Sequence, residues 1–276
     1  MQLKLIHAPP SSKPTPLQVL SLGAGVQSST LLLMSLTGEF ERPAHIIFAD
    51  TGWEPPHIYA HLRWLSDYSQ QRGLPIRRVG TRNIRSDLLA AATSGARCAS
   101  MPLFVTNPQG RRGMLRRQCT HEYKIKPIRH LLRAILGRAP RPHDVELWIG
   151  ITPEEKLSRR KLSDVQWITH RWPLIERGMT REDCVAWLTQ RGFPVPIKSA
   201  CIGCPFHDNA HWLEMRANRP GDWADAVAFD QAIRRLPLVN GHVFVHRSLR
   251  PLADVHFEKH LQSPRPHQNE PGVCPL

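Results

Sequence analysis

No apolar run in this 276-residue chain reaches the length that spans a bilayer, which excludes a membrane-crossing helix. The opening stretch, MQLKLIHAPPSSKPTP, lacks the apolar core of a signal peptide and is expected to be a loose lead-in on a cytoplasmic protein. There is no internal repeat and no long low-complexity segment. Six cysteines are too few at this size for a disulfide scaffold; paired spacing in a cytosolic setting points to metal or redox chemistry instead. Acidic residues are also short: 23 Asp and Glu against 37 Lys and Arg leave a net charge of +14. That balance suits a polyanionic partner, above all nucleic acid, although a proteome rich in Arg would produce it as well. The length and the 41% hydrophobic content support one large α/β domain, or one domain with an appendage.

Against that background the stretch LQVLSLGAGVQSSTLLLMSL, residues 17–36, organises the chain. A strand-length apolar run, Leu17 to Leu22, meets the small residues Gly23-Ala24-Gly25, then Val26-Gln27 and the hydroxyls Ser28-Ser29-Thr30. Leu31 to Leu36 read as a buried helix. Strand, glycine turn and helix start bring free amides and the positive end of the helix dipole together, which makes an anion site. The loop is neither a Walker sequence nor a dinucleotide fingerprint, and an ordinary tight turn would account for it equally well.

The next segments repeat the rhythm. His45 to Asp50 is a second strand, Ile58 to Arg72 a helix stopping at Gly73, Ile76 to Val79 a third strand and Ile84 to Ala92 a third helix. This predicts a Rossmann-like α/β/α sandwich with a parallel sheet, followed by a mostly helical C-terminal region that holds cysteines. Ligands of such sheets sit beyond the carboxyl ends of the strands, where Gly23 to Ser28 and Asp50 to Glu54 would both lie. Asp50-Thr51-Gly52 would also make a good turn unaided. Arg97 to Arg117 reads as a basic loop or hairpin, able to steer a nucleic-acid backbone or simply to be solvated. Helices are expected after Pro127, from Thr180 (an N-cap with Asp183 behind it) to Gly192, and over Trp212 to Met215 and Trp223 to Leu236. Strands are expected at Val145 to Ile149 and Val243 to Val245. The expected divisions are residues 1–16 as lead, 17–178 as nucleotide-binding domain, 179–261 as helical region and 262–276 as tail.

Cys201-Ile202-Gly203-Cys204 is a CxxC whose two thiolates can face one metal or cluster; it could equally be a redox pair. Cys119 is the best third ligand. The fourth could be Cys274, Cys98 or a histidine such as His207, and His207 with His211 keeps a zinc site open. Cys184, inside an amphipathic helix, reads as a core thiol.

These motifs, in this order, resemble the adenine nucleotide alpha-hydrolase (PP-loop) superfamily, in its phosphoadenylyl-sulfate (PAPS) reductase-like branch, over roughly Leu17 to Trp212. Ser21-Leu22-Gly23-Ala24-Gly25-Val26-Gln27-Ser28-Ser29 is similar to the family's pyrophosphate loop, and Asp50-Thr51-Gly52 to the strand end that holds the adenosine. Ile149-Gly150-Ile151 with Glu154, Glu155, Arg159 and Arg160 resembles its Gly-Ile-Arg segment. Trp172-Pro173-Leu174-Ile175, then Thr180 to Leu188, then Cys201-Ile202-Gly203-Cys204-Pro205 resemble its closing region. Gln27 stands where the family has an acidic residue, and Cys119-Thr120 where iron–sulfur reductases have adjacent cysteines. The tail, Gly272-Val273-Cys274-Pro275, differs from a reductase's Glu-Cys-Gly. Cys119-Thr120 and Lys124-Ile125-Lys126-Pro127 are closer in style to DNA phosphorothioation ATPase-like proteins.

The resemblance implies ATP, or a sulfonucleotide, held by Ser21, the loop Gly23 to Ser29, Asp50, Thr51, Gly52 and Gly150. It implies Gln27, Ser28, Arg159 and Arg160 as the residues acting on the phosphates or target, and Mg2+ across the phosphates. Cys119, Cys201, Cys204 and Cys274 would hold a 4Fe-4S iron–sulfur cluster, with zinc as the alternative. The implied activity is adenylation of a substrate, DNA or tRNA, for sulfur transfer, with a sulfur donor protein as a further partner. The alternatives are a sulfonucleotide reductase in which Cys274 attacks sulfur, and an inactive module that only binds nucleotide or nucleic acid.

Overall fold

The computed structural model describes residues 15–155, 162–237 and 239–257. Five strands form one parallel sheet: β1 (Leu17–Leu22), β2 (His45–Ala49), β3 (Ile76–Val79), β6 (Val145–Ile149) and β7 (Ile168–Arg171). Their order is β3-β2-β1-β6-β7, so the chain reverses direction across the sheet between β1 and β6. In register, Ser21 of β1 lies beside Ile47 on one side and Ile149 on the other. This is the α/β layered architecture the strand–helix rhythm predicts.

Alternation along the strands sets the two faces. Leu20, Leu22, Ile46, Phe48 and Trp148 point into one core, which they share with α1 (Val26–Leu36), α2 (Pro56–Gln70) and α6 (Arg181–Gln190). Val19, Ile47, Val145 and Leu147 point into the opposite core, closed by Ile128 and Leu132 of α4 (Lys126–Leu136). Helix α1 is buried along its whole length except at Gln27, which is why its sequence is apolar with no polar stripe. Helix α6 starts at Thr180 with a complete capping box to Asp183, and Cys184 faces the core from it, as a packed thiol should.

A third core lies beside the strand ends. It gathers α3 (Ile84–Ser94), α7 (Asn209–Asn218), α8 (Pro220–Ala232) and a small antiparallel sheet of β4 (Phe104–Thr106), β5 (Arg112–Met114) and β8 (His242–Phe244). The basic stretch is thus a hairpin, β4 to β5, whose inner strand also pairs with β8. Strand β7 and the short helix α5 (Pro173–Glu176) are elements the periodicity does not announce.

Candidate functional site

The strand order reverses between β1 and β6, and in open parallel sheets ligands usually sit beyond the carboxyl ends of the strands at such a reversal. The loop Gly23-Ala24-Gly25 follows β1. Gly25 is the N-cap of α1 in an extended conformation with no side-chain cap, so the first-turn amides of α1 keep no side-chain partner from the cap position. Ala24 is buried in the left-handed region, at φ 54°. The Ser28 hydroxyl folds back to accept from the Gly23 N–H at 3.1 Å, and donates to the Gly25 carbonyl at 3.3 Å. Ser29 turns away from the loop: its hydroxyl meets Nε2 of buried His61 at 3.0 Å. Burial lowers His61 to a pKa of about 4, so the ring is neutral.

Gly150, after β6, presses on the loop. A Cβ there would stand 2.8 Å from the Ser28 nitrogen and 2.9 Å from its Cα. Gln27, the residue of α1 that is not buried, accepts from Arg181 Nη1 at 3.1 Å. The Arg181 amide donates to Glu154 at 2.7 Å. A cation therefore reaches the loop from the first position of α6, a contact across the chain that no local motif shows. Arg159, Arg160 and Cys274 lie outside the described residues.

The turn after β2 is stiffened by its own carboxylate. Asp50, buried, accepts from the Gly52 amide at 2.8 Å, from the Tyr59 hydroxyl at 2.9 Å and from the Arg78 guanidinium. Burial first, then Asp50 as acceptor, raises the Tyr59 phenol above its ordinary value. Asp50 is thus spent on the geometry of Asp50-Thr51-Gly52, and Thr51 is the member of the triplet that turns toward the cysteines. Its Oγ1 lies 3.2 Å from Cys201 Sγ.

The CxxC sits against this turn. The Ile202 amide donates to the Trp53 carbonyl at 3.0 Å, and the Cys204 amide to the Cys201 carbonyl at 3.0 Å. Gly203 is required because the Trp53 ring occupies the space of a Cβ; the ring atom Cζ3 would be 3.0 Å away. Nε2 of buried His207 donates to the Cys201 and Ile202 carbonyls, at 3.0 and 3.1 Å. Its ring stacks on His211 at 3.9 Å. Both rings are held neutral, chiefly by burial, with neighbouring positive charge adding to it. His207 therefore braces the CxxC through its carbonyls.

Glu54 joins the two halves of the site. Its carboxylate, almost fully buried, accepts from Ser199 Oγ at 3.1 Å and pairs with Lys124 Nζ at 3.8 Å. Ser199 packs on the loop: a Cβ on Gly25 would stand 3.7 Å from that of Ser199. Lys124 comes from a π-helical turn, His121–Ile125, directly before α4. Burial would lower this ammonium; Glu54, with smaller contributions from Cys201, Cys119 and Cys204, reverses that and raises it. Ser199 escapes a reading by motif, and Glu54, Lys124 and Arg181 lie in stretches the motifs cover while the pairings they make do not follow from any spacing. The signal for Glu54 was a lone carboxylate ahead of Pro55-Pro56 at a strand end.

Cys119, Cys201 and Cys204 share one neighbourhood around Lys124. Among the described residues, however, no three His, Cys, Asp or Glu side chains are gathered closely enough to hold a metal ion. Burial raises the Cys201 and Cys204 thiols and keeps them protonated in the metal-free protein, so a bound metal or cluster would displace those protons. Cys119, Cys201 and Cys204 would supply three of the four thiolates of the expected set, and Cys274 lies outside the described residues.

No protein-family model matches the chain. No curated protein matches it. Among solved structures it is similar to phosphoadenylyl-sulfate (PAPS) reductase from Candida auris, in a phosphate complex, with a TM-score of 0.42. The two share 13% identity over 66% of this chain and 76% of that one. A likeness of that degree carries no weight for the site; the α/β architecture rests on the order and direction of the chain's own strands.

Proposed function

We propose that the chain is a nucleotide-using enzyme of the PP-loop kind, which binds ATP at the β1–β6 reversal and activates an acceptor by adenylation. The observation that carries this reading is the coincidence of three features at the strand-order reversal: the Gly23–Gly25 turn, the start of α1 uncapped by any side chain, and Gly150 packed on the loop backbone. Backbone amides from Gly23 to Ser28 would take the phosphates, with Ser28 free to exchange its internal hydrogen bonds for one to the ligand. Arg181, already at Gln27, adds positive charge where the leaving group would gather negative charge. Magnesium, when bound, supplies further neutralisation of the phosphates.

In the reaction proposed, an acceptor oxygen attacks the α-phosphorus and the bond to the bridging oxygen breaks. Pyrophosphate leaves with the electron pair. A sulfur nucleophile from a donor then displaces AMP from the acceptor. Positioning and charge neutralisation account for most of the catalysis, since no covalent enzyme group is needed. Lys124, among Cys119, Cys201 and Cys204, would receive an anionic sulfur. The net charge of +14 supports nucleic acid as the acceptor.

The test is product analysis with Mg·ATP, with and without nucleic acid. Release of pyrophosphate and AMP supports the proposal. ADP with orthophosphate contradicts it, and tight nucleotide binding with no turnover would leave a binding module in its place. Iron and zinc assays on anaerobically purified protein test the thiols separately. Stoichiometric iron with labile sulfide would show that the cysteines hold a cluster.

A further inference from the structure

The arginine-bearing ribbon that leads into Cys119 is built in an unusual way for a solvated surface. Between Asp87 and Glu122 the chain contains no acidic residue and five arginines: Arg97, Arg111, Arg112, Arg116 and Arg117. All five are exposed. None has a carboxylate partner among the described residues, whereas Arg78, Arg129, Arg138, Arg171, Arg191, Arg219 and Arg234 are each paired elsewhere.

The ribbon is also rigid enough to present them. Strands β4 and β5 pair antiparallel, and β4 is fixed from the other side by β8. Beyond β5 the pairing continues with non-strand contacts. The Leu115 amide donates to the Leu103 carbonyl at 2.8 Å, Ser100 Oγ to the Arg116 carbonyl at 2.6 Å, and the Cys119 amide to the Ser100 carbonyl at 3.1 Å. Arg111 and Arg112 stand at the hairpin tip, while Arg116 and Arg117 stand near its base. At about 3.3 Å per residue, tip and base are separated by roughly 13–20 Å. At the base, the Arg117 guanidinium lies 5.2 Å from the centre of the half-buried Phe206 ring, two residues after Cys204. Arg117 and Lys198 both act on the Cys204 thiol electrostatically.

We infer that this ribbon is the docking track for a single-stranded nucleic acid, its backbone running along the arginines and a base placed on the Arg117–Phe206 pair beside Cys204. The unpaired charges fit a chain of phosphates, because each can neutralise one without first breaking an ion pair. The cation-on-aromatic pair at the end suits an unstacked base, which a duplex does not offer. The inference rests on the proposed function only for the chemistry that follows docking; the track itself needs no nucleotide.

The experiment measures binding of a fluorescent single-stranded oligonucleotide to the full chain by anisotropy, across a salt series and without ATP. Five phosphate contacts predict a slope of about −3.5 in log K against log salt, so that a fourfold rise in salt weakens binding by about 100-fold. The double variant Arg111→Gln/Arg112→Gln should flatten the slope by about 1.4 and leave the melting temperature unchanged. Phe206→Leu should weaken binding by about 5- to 150-fold with the slope unchanged. A slope that does not respond to Arg111→Gln/Arg112→Gln overturns the track. So does tighter binding of duplex than of single strand, or equal competition by polyglutamate. ATP binding is measured in parallel. Loss of ATP binding with the track intact would refute the nucleotide reading alone, and intact ATP binding with no oligonucleotide bound would refute the track alone.

Discussion

Gly150→Ala adds one methyl group at the point where β6 meets the nucleotide loop, and the structure specifies what that methyl encounters. It would stand 2.8 Å from the Ser28 nitrogen, 2.9 Å from Ser28 Cα and 3.1 Å from the Gln27 carbonyl carbon. All three are backbone atoms, so no side chain can rotate away. Either the first turn of α1 shifts or β6 does, and both are pinned in the sheet and core. Overpacking of this kind costs about 1–3 kcal/mol. At about 2–4 °C per kcal/mol the melting temperature should fall by several degrees. The larger effect should be on the ligand, since loop amides aimed at phosphates tolerate little displacement; ATP affinity should drop at least tenfold. The assay is calorimetric titration with Mg·ATP beside thermal unfolding. Gly221→Ala is the control: it lies in α8 with open space around it and should be neutral or slightly stabilising. A Gly150→Ala protein that binds ATP as tightly as the parent would refute the placement of phosphates on this loop.

Other predictions follow from named contacts. Gly203→Ala forces the Trp53 ring out of its seat and should destabilise the CxxC turn, seen as faster alkylation of Cys201 and Cys204 at pH 7. In the parent those two thiols, and Cys184 with its pKa pushed up to about 11, should react slowly, because burial disfavours each thiolate. Burial lowers His61 to about 4, against 6.5 when unfolded. The unfolded chain therefore binds the extra proton between those values, and the stabilisation present above pH 6.5 is lost as pH falls toward 4. The loss is on the order of 1 kcal/mol per pH unit, and His61→Gln should flatten that part of a denaturation-versus-pH curve. Asp50→Asn weakens the acceptor that holds Arg78, Tyr59 and the Gly52 amide, and should cost about 1–3 kcal/mol in chemical denaturation.

The layered core was legible because its strands are short apolar runs between turn residues. Leu17–Leu22, Ile76–Val79 and Val145–Ile149 appear where the periodicity puts them. The start of α6 was legible from Thr180 and Asp183, whose capping box is a local event. Strand β7, Ile-Thr-His-Arg, was not: as an edge strand with one covered side it has no apolar run to announce it. The candidate site was legible only at its backbone, in the glycines of the loop and the CxxC. Its polar wiring joins residues far apart in sequence: Gln27 to Arg181, Thr51 to Cys201, Glu54 to Ser199 and Lys124. No spacing rule carries such pairings. Asp50 was legible both as a ligand type and as a turn former, and in the structure its lone pairs hold the turn together.

The measurement closest to the centre of this account is calorimetric titration of the full chain with Mg·ATP, then AMP, in low salt. Amides converging on a polyphosphate predict one site per chain for Mg·ATP and at least tenfold weaker binding of AMP, which lacks the two phosphates the loop would hold. Equal affinity for the two, or no heat from either, would mean that the β1–β6 reversal does not bind a nucleotide by its phosphates.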